Sequence, residues 1–222
     1  MTVPRTQATA RGTKPESAMT RILFISCSPR GRAAESHRLA QKIIGHLLKQ
    51  EPDTAVMERV IGWGTIDHVD ENYAIAQASS SDPSRSGSIA VSEELIQELE
   101  SADILVIGTP MHNFTVPSVL KAWIDHVVRV RRTFNVTPGG KVGLLRNRPV
   151  FVAISSGGRF SGERARQPDF LTPYLTAVLG VIGLRDPAFF SVQGTGSGPE
   201  AVAAARAGAD QALREHFSLV CP

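Results

Sequence analysis

Cysteine is scarce in this chain: there are two, Cys27 and Cys221. Two thiols can neither staple a small secreted scaffold with several disulfides nor build a Cys-rich metal site, and they suit a reducing compartment. Long apolar runs are missing too, since none reaches the ~18 residues of a membrane span. No sign of charge dominates. The formal net charge is +3, and the densest basic groups, Arg129 with Arg131 and Arg132, then Arg146 with Arg148, are too short to mark a nucleic-acid surface. They read as solvated faces with some attraction for anionic ligands. The six histidines are dispersed and none falls in a His-Glu-x-x-His pattern, so no metal is expected. Residues 1–19 carry Arg5, Arg11 and Lys14 but lack the apolar core of a secretion signal. They are expected to be a disordered tail, with Met19 just before the first strand as an alternative start. Their basic composition leaves a transit peptide as the second reading. A cytoplasmic protein with one domain over residues 20–222 is the expectation.

What is present is an alternation of strand and helix. Ile22-Leu23-Phe24-Ile25 is a short continuous apolar run, as a strand covered on both faces has. Leu39, Ile43 and Leu47, with Ala40, Ile44 and Leu48 beside them, make a broad helical stripe. Ala55-Val56-Met57 reads as a second strand. Residues 62–90 read as irregular, with a Ser-rich loop at Ser79–Ser88. Ser92 offers an N-cap, with Glu93 and Glu94 in the first turn of the helix that would follow. Ile104 to Gly108 is the clearest strand. Pro117 opens a helix with Leu120, Ile124 and Val127 facing inward. Val150 to Ile154 and Phe189 to Val192 are the last strands, with the stripe Leu171, Leu175, Val178 and Leu179 between them. Pro199 begins a closing Ala-rich helix. Five strands alternating with helices predict a doubly wound α/β fold with a parallel sheet of order 2-1-3-4-5. Ligands of such sheets sit at the carboxyl ends of the strands, beside the switch point. That rule selects the loops after strands one, three and four.

The first loop, Ser26 to Ser36, has small or hydroxylated residues at Ser28, Gly31 and Ser36. Free N–H groups at the start of the following helix can surround a phosphate there; an ordinary turn capped by Ser36 is the alternative. Rival phosphate motifs fail. No Gly-x-Gly-x-x-Gly occupies this turn, and Gly194 to Gly198 has the wrong place and spacing. A small phosphotyrosine phosphatase needs an Arg six positions after its Cys, where Ala33 stands. A phosphate-receiver domain needs acidic residues where this chain has Ser and Cys. The second loop, Thr109 to Ser118, offers Met111 and Phe114 to pack on a flat ring such as an isoalloxazine, and Asn113 for its polar edge; a Pro-bounded loop capping the core is the alternative. In the third, Ser155-Ser156-Gly157-Gly158, paired glycines let backbone approach a planar ligand.

Taken together, residues Arg21 to Phe217 resemble the FMN-dependent NADH-azoreductase and NADH:quinone oxidoreductase family, which has the flavodoxin-like fold. The resemblance rests on Ser28 to Ser36, on Pro110-Met111-His112-Asn113-Phe114 followed by Pro117-Ser118-x-Leu120-Lys121-Ala122-Trp123-Ile124-Asp125, on Thr133-Phe134, on Ser155 to Gly158, and on Pro173-Tyr174-Leu175 with Leu179-Gly180-Val181-Ile182-Gly183. It implies that Ser28, Ala34, Glu35 and Ser36 hold an FMN phosphate, that Met111, His112, Asn113 and Phe114 line the isoalloxazine, and that Ser155, Ser156, Gly157 and Gly158 close over its other edge. It further implies a homodimer with Phe134 shaping the acceptor pocket, NADH or NADPH as donor, and quinones or azo compounds as acceptors in a ping-pong two-electron scheme without a protein nucleophile. Three departures stand out. His112 replaces the usual Tyr and is expected to modulate acceptor choice and pH response. Ala34 stands where a hydroxyl is common, and the segment around Pro138-Gly139-Gly140 is shortened. The rival reading is a flavodoxin-like electron carrier or FMN-binding protein without NAD(P)H oxidoreductase activity. Flavodoxins are strongly acidic, and this chain is slightly basic.

Overall fold

Ile22 to Ile25 are apolar on both faces because their strand lies inside a sheet with helices on each side. In the computed structural model, which describes residues 19–64, 66–78 and 87–219, β1 (Arg21–Ser26) is followed by α1 (Glu35–Gln50), β2 (Ala55–Val60), α2 (Glu71–Ala78), α3 (Ser88–Ser101) and β3 (Ile104–Pro110). Then come α4 (Ser118–Val127), β4 (Phe134–Thr137), β5 (Gly140–Gly143), β6 (Val150–Ser156), α5 (Leu171–Ile182), β7 (Ala188–Gln193) and α6 (Pro199–Leu219). Residues 1–18 of the expected tail, most of the Ser79–Ser88 loop and Cys221 lie outside the described residues.

The sheet is parallel, in the order β2-β1-β3-β6-β7. That is the 2-1-3-4-5 order read from the sequence, with β4 and β5 set aside as a separate antiparallel hairpin. Successive strand residues point to opposite faces. Leu23, Ile25, Leu105 and Ile107 pack with α3, α4 and α5, whereas Ile22, Phe24, Val106 and Phe190 pack with α1 and α6. Among the described residues, no helix is long and apolar enough to cross a membrane.

Two close approaches position the site. A Cβ at Gly108 on β3 would lie 3.1 Å from Phe24, 3.2 Å from the Ser36 carbonyl oxygen and 3.3 Å from Ala40, so glycine lets the start of α1 settle on the sheet. A Cβ at Gly62, after β2, would lie 2.1 Å from the Ser28 carbonyl oxygen, so this second loop braces the first. Trp63 adds a hydrogen bond from its indole N–H to the Pro29 carbonyl, 3.2 Å.

Three parts of the fold differ from the sequence reading. Residues 62–90 are not irregular throughout, because α2 lies within them. It is docked by the Tyr73 hydroxyl, which donates to the Asp125 carbonyl at 2.8 Å. The helix expected to start at Ser92 starts at Ser88, after Gly87 in a left-handed conformation (φ +63). Ser92 is therefore interior and fully buried, not a cap. Its hydroxyl donates to the His126 carbonyl (2.6 Å) and accepts from Arg129 (2.9 Å). Glu93 faces Arg129 and Arg132, and hydrogen bonds from Arg132, its main partner, hold its carboxyl down to about 2. Partners from the α4 end decided those roles, and local capping preference was overridden. Third, the sequence reading has no counterpart for the β4–β5 hairpin, which turns at Pro138-Gly139 and whose Gly143 packs directly on Gly183 at the end of α5.

Candidate functional site

At the carboxyl edge of the sheet, β1 stops at Ser26 while β3 and β6 pair on through Pro110 and Ser155. Pro110 can therefore sit in β3 without breaking the ladder, since no β1 residue faces it. The step leaves a cleft of about 700 Å³ between the three loops, with Pro199, Val202 and Arg206 of α6 completing one wall.

One end of the cleft is polar. Ser28 to Gly31 form a tight turn, closed by the Gly31 N–H on the Ser28 carbonyl (3.0 Å), while the Ser28 hydroxyl accepts from the Arg30 N–H (3.2 Å). α1 begins with Ala34 as N-cap, which offers no side-chain oxygen to the helix. The first helical bond is Arg38 N–H to the Ala34 carbonyl, so the N–H groups of Glu35, Ser36 and His37 precede it and form the positive end of the helix dipole. Ser36 is fully buried and its hydroxyl has no hydrogen-bond partner among the described residues. Arg30, Arg38 and Arg206 also line this end. Arg206 grips Glu35 with two hydrogen bonds, Nε–H to Oε2 at 2.8 Å and Nη2–H to Oε1 at 2.6 Å. Chiefly through that contact, the Glu35 carboxyl lies below the usual carboxylate range, although partial burial opposes the shift.

The other end is made of backbone and sulfur. His112 and Thr115 exchange N–H···O bonds of 3.0 Å each, and the two residues between them, Asn113 (φ +47) and Phe114 (φ +71), are both left-handed. This is the pattern of a type I′ turn, which disfavours a residue such as Phe. Its own bonds use only His112 and Thr115, which leaves the Asn113 and Phe114 N–H groups outside the pairing. Met111 is buried behind the turn, with its N–H on the Ser155 carbonyl (2.8 Å) and the Gln167 amide nitrogen 3.1 Å from its sulfur. Gln167 also donates to the Ser156 hydroxyl at 3.1 Å. The third loop is held by the segment after β7: Gly194 and Gly196 N–H groups donate to the Gly158 and Gly157 carbonyls, both at 3.1 Å.

Of the residues singled out from the sequence, Ser28, Ala34, Glu35, Met111, His112, Ser155, Ser156 and Gly157 line the cleft. Ser36 lies beneath the first turn of α1, and Asn113, Phe114 and Gly158 flank the cleft without lining it. Phe134 is buried at the start of the hairpin and does not line the cleft of its own chain. Sequence reasoning missed Arg30, Arg38, Arg206, Gln167 and Thr195. Arg206 stands out only as a cation in an Ala-rich helix, and Gln167 carries no local signal. Gly194 to Gly198, set aside as a dinucleotide motif, instead clamps the third loop and supplies Thr195 and Gly198 to the wall. Cys27 is buried and desolvation pushes its thiol up, so it offers no thiolate nucleophile. Among the described residues, no cluster of His, Cys, Asp and Glu could hold a metal ion.

A doubly wound sheet with an anion-ready helix start at one end of its switch-point cleft and an open, backbone-lined slot at the other defines a flavodoxin-like protein. Residues 20–217 match the model of the family described as having a flavodoxin-like fold. The chain is 48% identical over 186 residues to FMN-dependent NADH:quinone oxidoreductase 4 of Pseudomonas fluorescens, covering 84% of this chain and 90% of that one. It is 44% identical over 191 residues to FMN-dependent NADH:quinone oxidoreductase 5 of Burkholderia lata, covering 85% and 92%. Among solved structures, an azoreductase from Bacillus anthracis superposes with a TM-score of 0.74 at 24% identity, covering 89% of this chain and all of that one. A likeness at that identity speaks for the fold. The chain belongs to the flavodoxin-like family of FMN-dependent NADH:quinone oxidoreductases.

Proposed function

We propose that this protein is an FMN-dependent oxidoreductase that takes electrons from NADH or NADPH and passes them to quinones or aromatic azo compounds in a ping-pong cycle. The observation that carries the reading is the polarity of the cleft. One end offers first-turn N–H groups, the Ser28 turn and three arginines; the other offers the Met111–His112 and Ser155–Gly157 edges. An anionic phosphate joined to a neutral ring matches those two ends. The names of the relatives, which include FMN, NADH and quinone, support the same assignment.

When bound, FMN supplies the hydride and electron chemistry. The chain's residues bind and orient. Ser28 and the backbone of the Ala34-Glu35-Ser36 segment, with its first-turn N–H groups, would hold the phosphate at the start of α1. Met111 and His112 would lie along the ring, with Asn113 and Phe114 presenting N–H groups to its polar edge, where they favour developing negative charge. Ser155 to Gly158 would close the far edge. His112 is exposed at the cleft and would face the acceptor.

The protein is proposed to work as a cytoplasmic homodimer. Phe134 does not reach its own cleft, and Phe114, Phe170, Val136 and Val142 leave large apolar area on the surface of the single chain, as a surface covered by a partner does.

The test is reconstitution. Protein mixed with FMN should show perturbed flavin absorption and a raised melting temperature, and should oxidise NADH or NADPH with a quinone or azo dye without air. An unchanged spectrum and melting temperature at excess FMN would overturn the cofactor assignment. FMN binding without NAD(P)H turnover would leave the electron-carrier reading.

A further inference from the structure

We propose that Arg206, on α6 and far from the first loop in sequence, is a positioning residue for the flavin phosphate: through Glu35 it sets the charge that the start of α1 presents to that phosphate. The inference rests on the FMN reading above.

Glu35 is the first residue of α1 and lines the cleft. A carboxylate there suits the helix dipole of the free protein. For a phosphate ligand it is a liability, because a monoester carries about −1.5 to −2 charges at pH 7 and like charges in one site repel. Glu35 does not escape by protonation, since its pKa is lowered, chiefly by the Arg206 hydrogen bond. Its charge must be offset by cations. Arg206 does so with a two-pronged grip, and Arg38 adds a single hydrogen bond of 3.2 Å. The Glu35 side chain is 14% exposed and that of Arg206 is 41% exposed. The acid is thus fixed in the wall while the guanidinium keeps a solvent-facing side in the cleft. A two-pronged guanidinium grip holds the carboxylate in one orientation, which an ammonium cannot match.

The grip also ties α6 to α1 across 171 positions of sequence. The phosphate end is therefore completed by the last helix of the chain, and its charge balance cannot be read from the loop.

The experiment compares FMN with riboflavin, which lacks the phosphate, binding to wild type, Arg206→Gln, Arg206→Lys, Glu35→Gln and the Glu35→Gln/Arg206→Gln double variant, by quenching of flavin fluorescence. Arg206→Gln should weaken FMN about tenfold or more and leave riboflavin within about twofold. Glu35→Gln should not weaken FMN, and the double variant should recover most of the loss. Arg206→Lys should fall between. Equal losses for both ligands, or a double variant no better than Arg206→Gln, would show that the pair only fastens α6 to α1 and would overturn the proposal. Failure of the wild type to prefer FMN over riboflavin would instead strike the phosphate reading itself.

Discussion

The two ends of the cleft are built by different means. The polar end depends on groups that arrive from elsewhere: Arg206 from α6 grips Glu35, and the bare backbone of Gly62 after β2 braces Ser28. The ring end depends on backbone: a strained two-residue turn at Asn113 and Phe114, and carbonyls of the third loop fixed by Gly194 and Gly196. A charge can be balanced from any direction, so its partners are free to come from distant segments. A planar ring needs a flat edge at a fixed spacing, which only adjoining strands and tight turns supply.

The largest effect should come from breaking the brace of the polar end. A Cβ at Gly62 would meet backbone atoms of Ser28 and Cys27, which cannot swing aside as a flexible side chain could. Gly62→Ala should cost about 1–3 kcal/mol of stability by overpacking and weaken FMN about tenfold more than riboflavin. Denaturant titration and paired flavin titrations check both. Equal weakening of the two flavins would mean that the first loop does not serve the phosphate alone.

At the ring end, Phe114→Gly removes the ring and relieves the left-handed strain together. Phe114 is 44% exposed, so little core packing is lost. Stability should stay level or rise by up to about 1 kcal/mol, while FMN and riboflavin weaken by the same severalfold factor. A difference between the two flavins would show that the two ends are coupled and not independent.

The smallest change is at the cap. Ala34 has N-cap backbone geometry (φ −75, ψ 142) without a capping oxygen. Ala34→Ser should stabilise the ligand-free protein by about 0.5–1 kcal/mol, read as a higher melting temperature. FMN affinity should fall slightly, because the new hydroxyl competes for first-turn N–H groups. A rise in FMN affinity would mean that the hydroxyl serves the phosphate and not the helix.

Much of this was legible in the sequence. Ile22 to Ile25, Ile104 to Gly108 and Val150 to Ile154 announced buried parallel strands by their unbroken apolar runs, and the alternation with helical stripes led to the strand order. The three loops that border the cleft followed, because the ends of those strands fix where it must lie. Ser92 was misread as a cap because a Ser before two glutamates has that local signature whether or not a neighbouring helix claims it. α2 escaped notice because it is short and is held by groups distant in sequence: Tyr73 donates to the Asp125 carbonyl of α4, and Arg131 donates to the Gln77 carbonyl.

What sequence alone determined was periodic: which segments are strands or helices, and hence which loops meet at the switch point. What only the tertiary structure decided was pairwise. That Arg206 neutralises Glu35, that Gln167 orders Met111 and Ser156, and that Phe134 stays out of its own cleft depend on where distant segments come to rest. Burial patterns repeat along the chain and leave a period to read. A single contact between two side chains leaves none, because its energy depends on distance and direction in space and not on position in the chain.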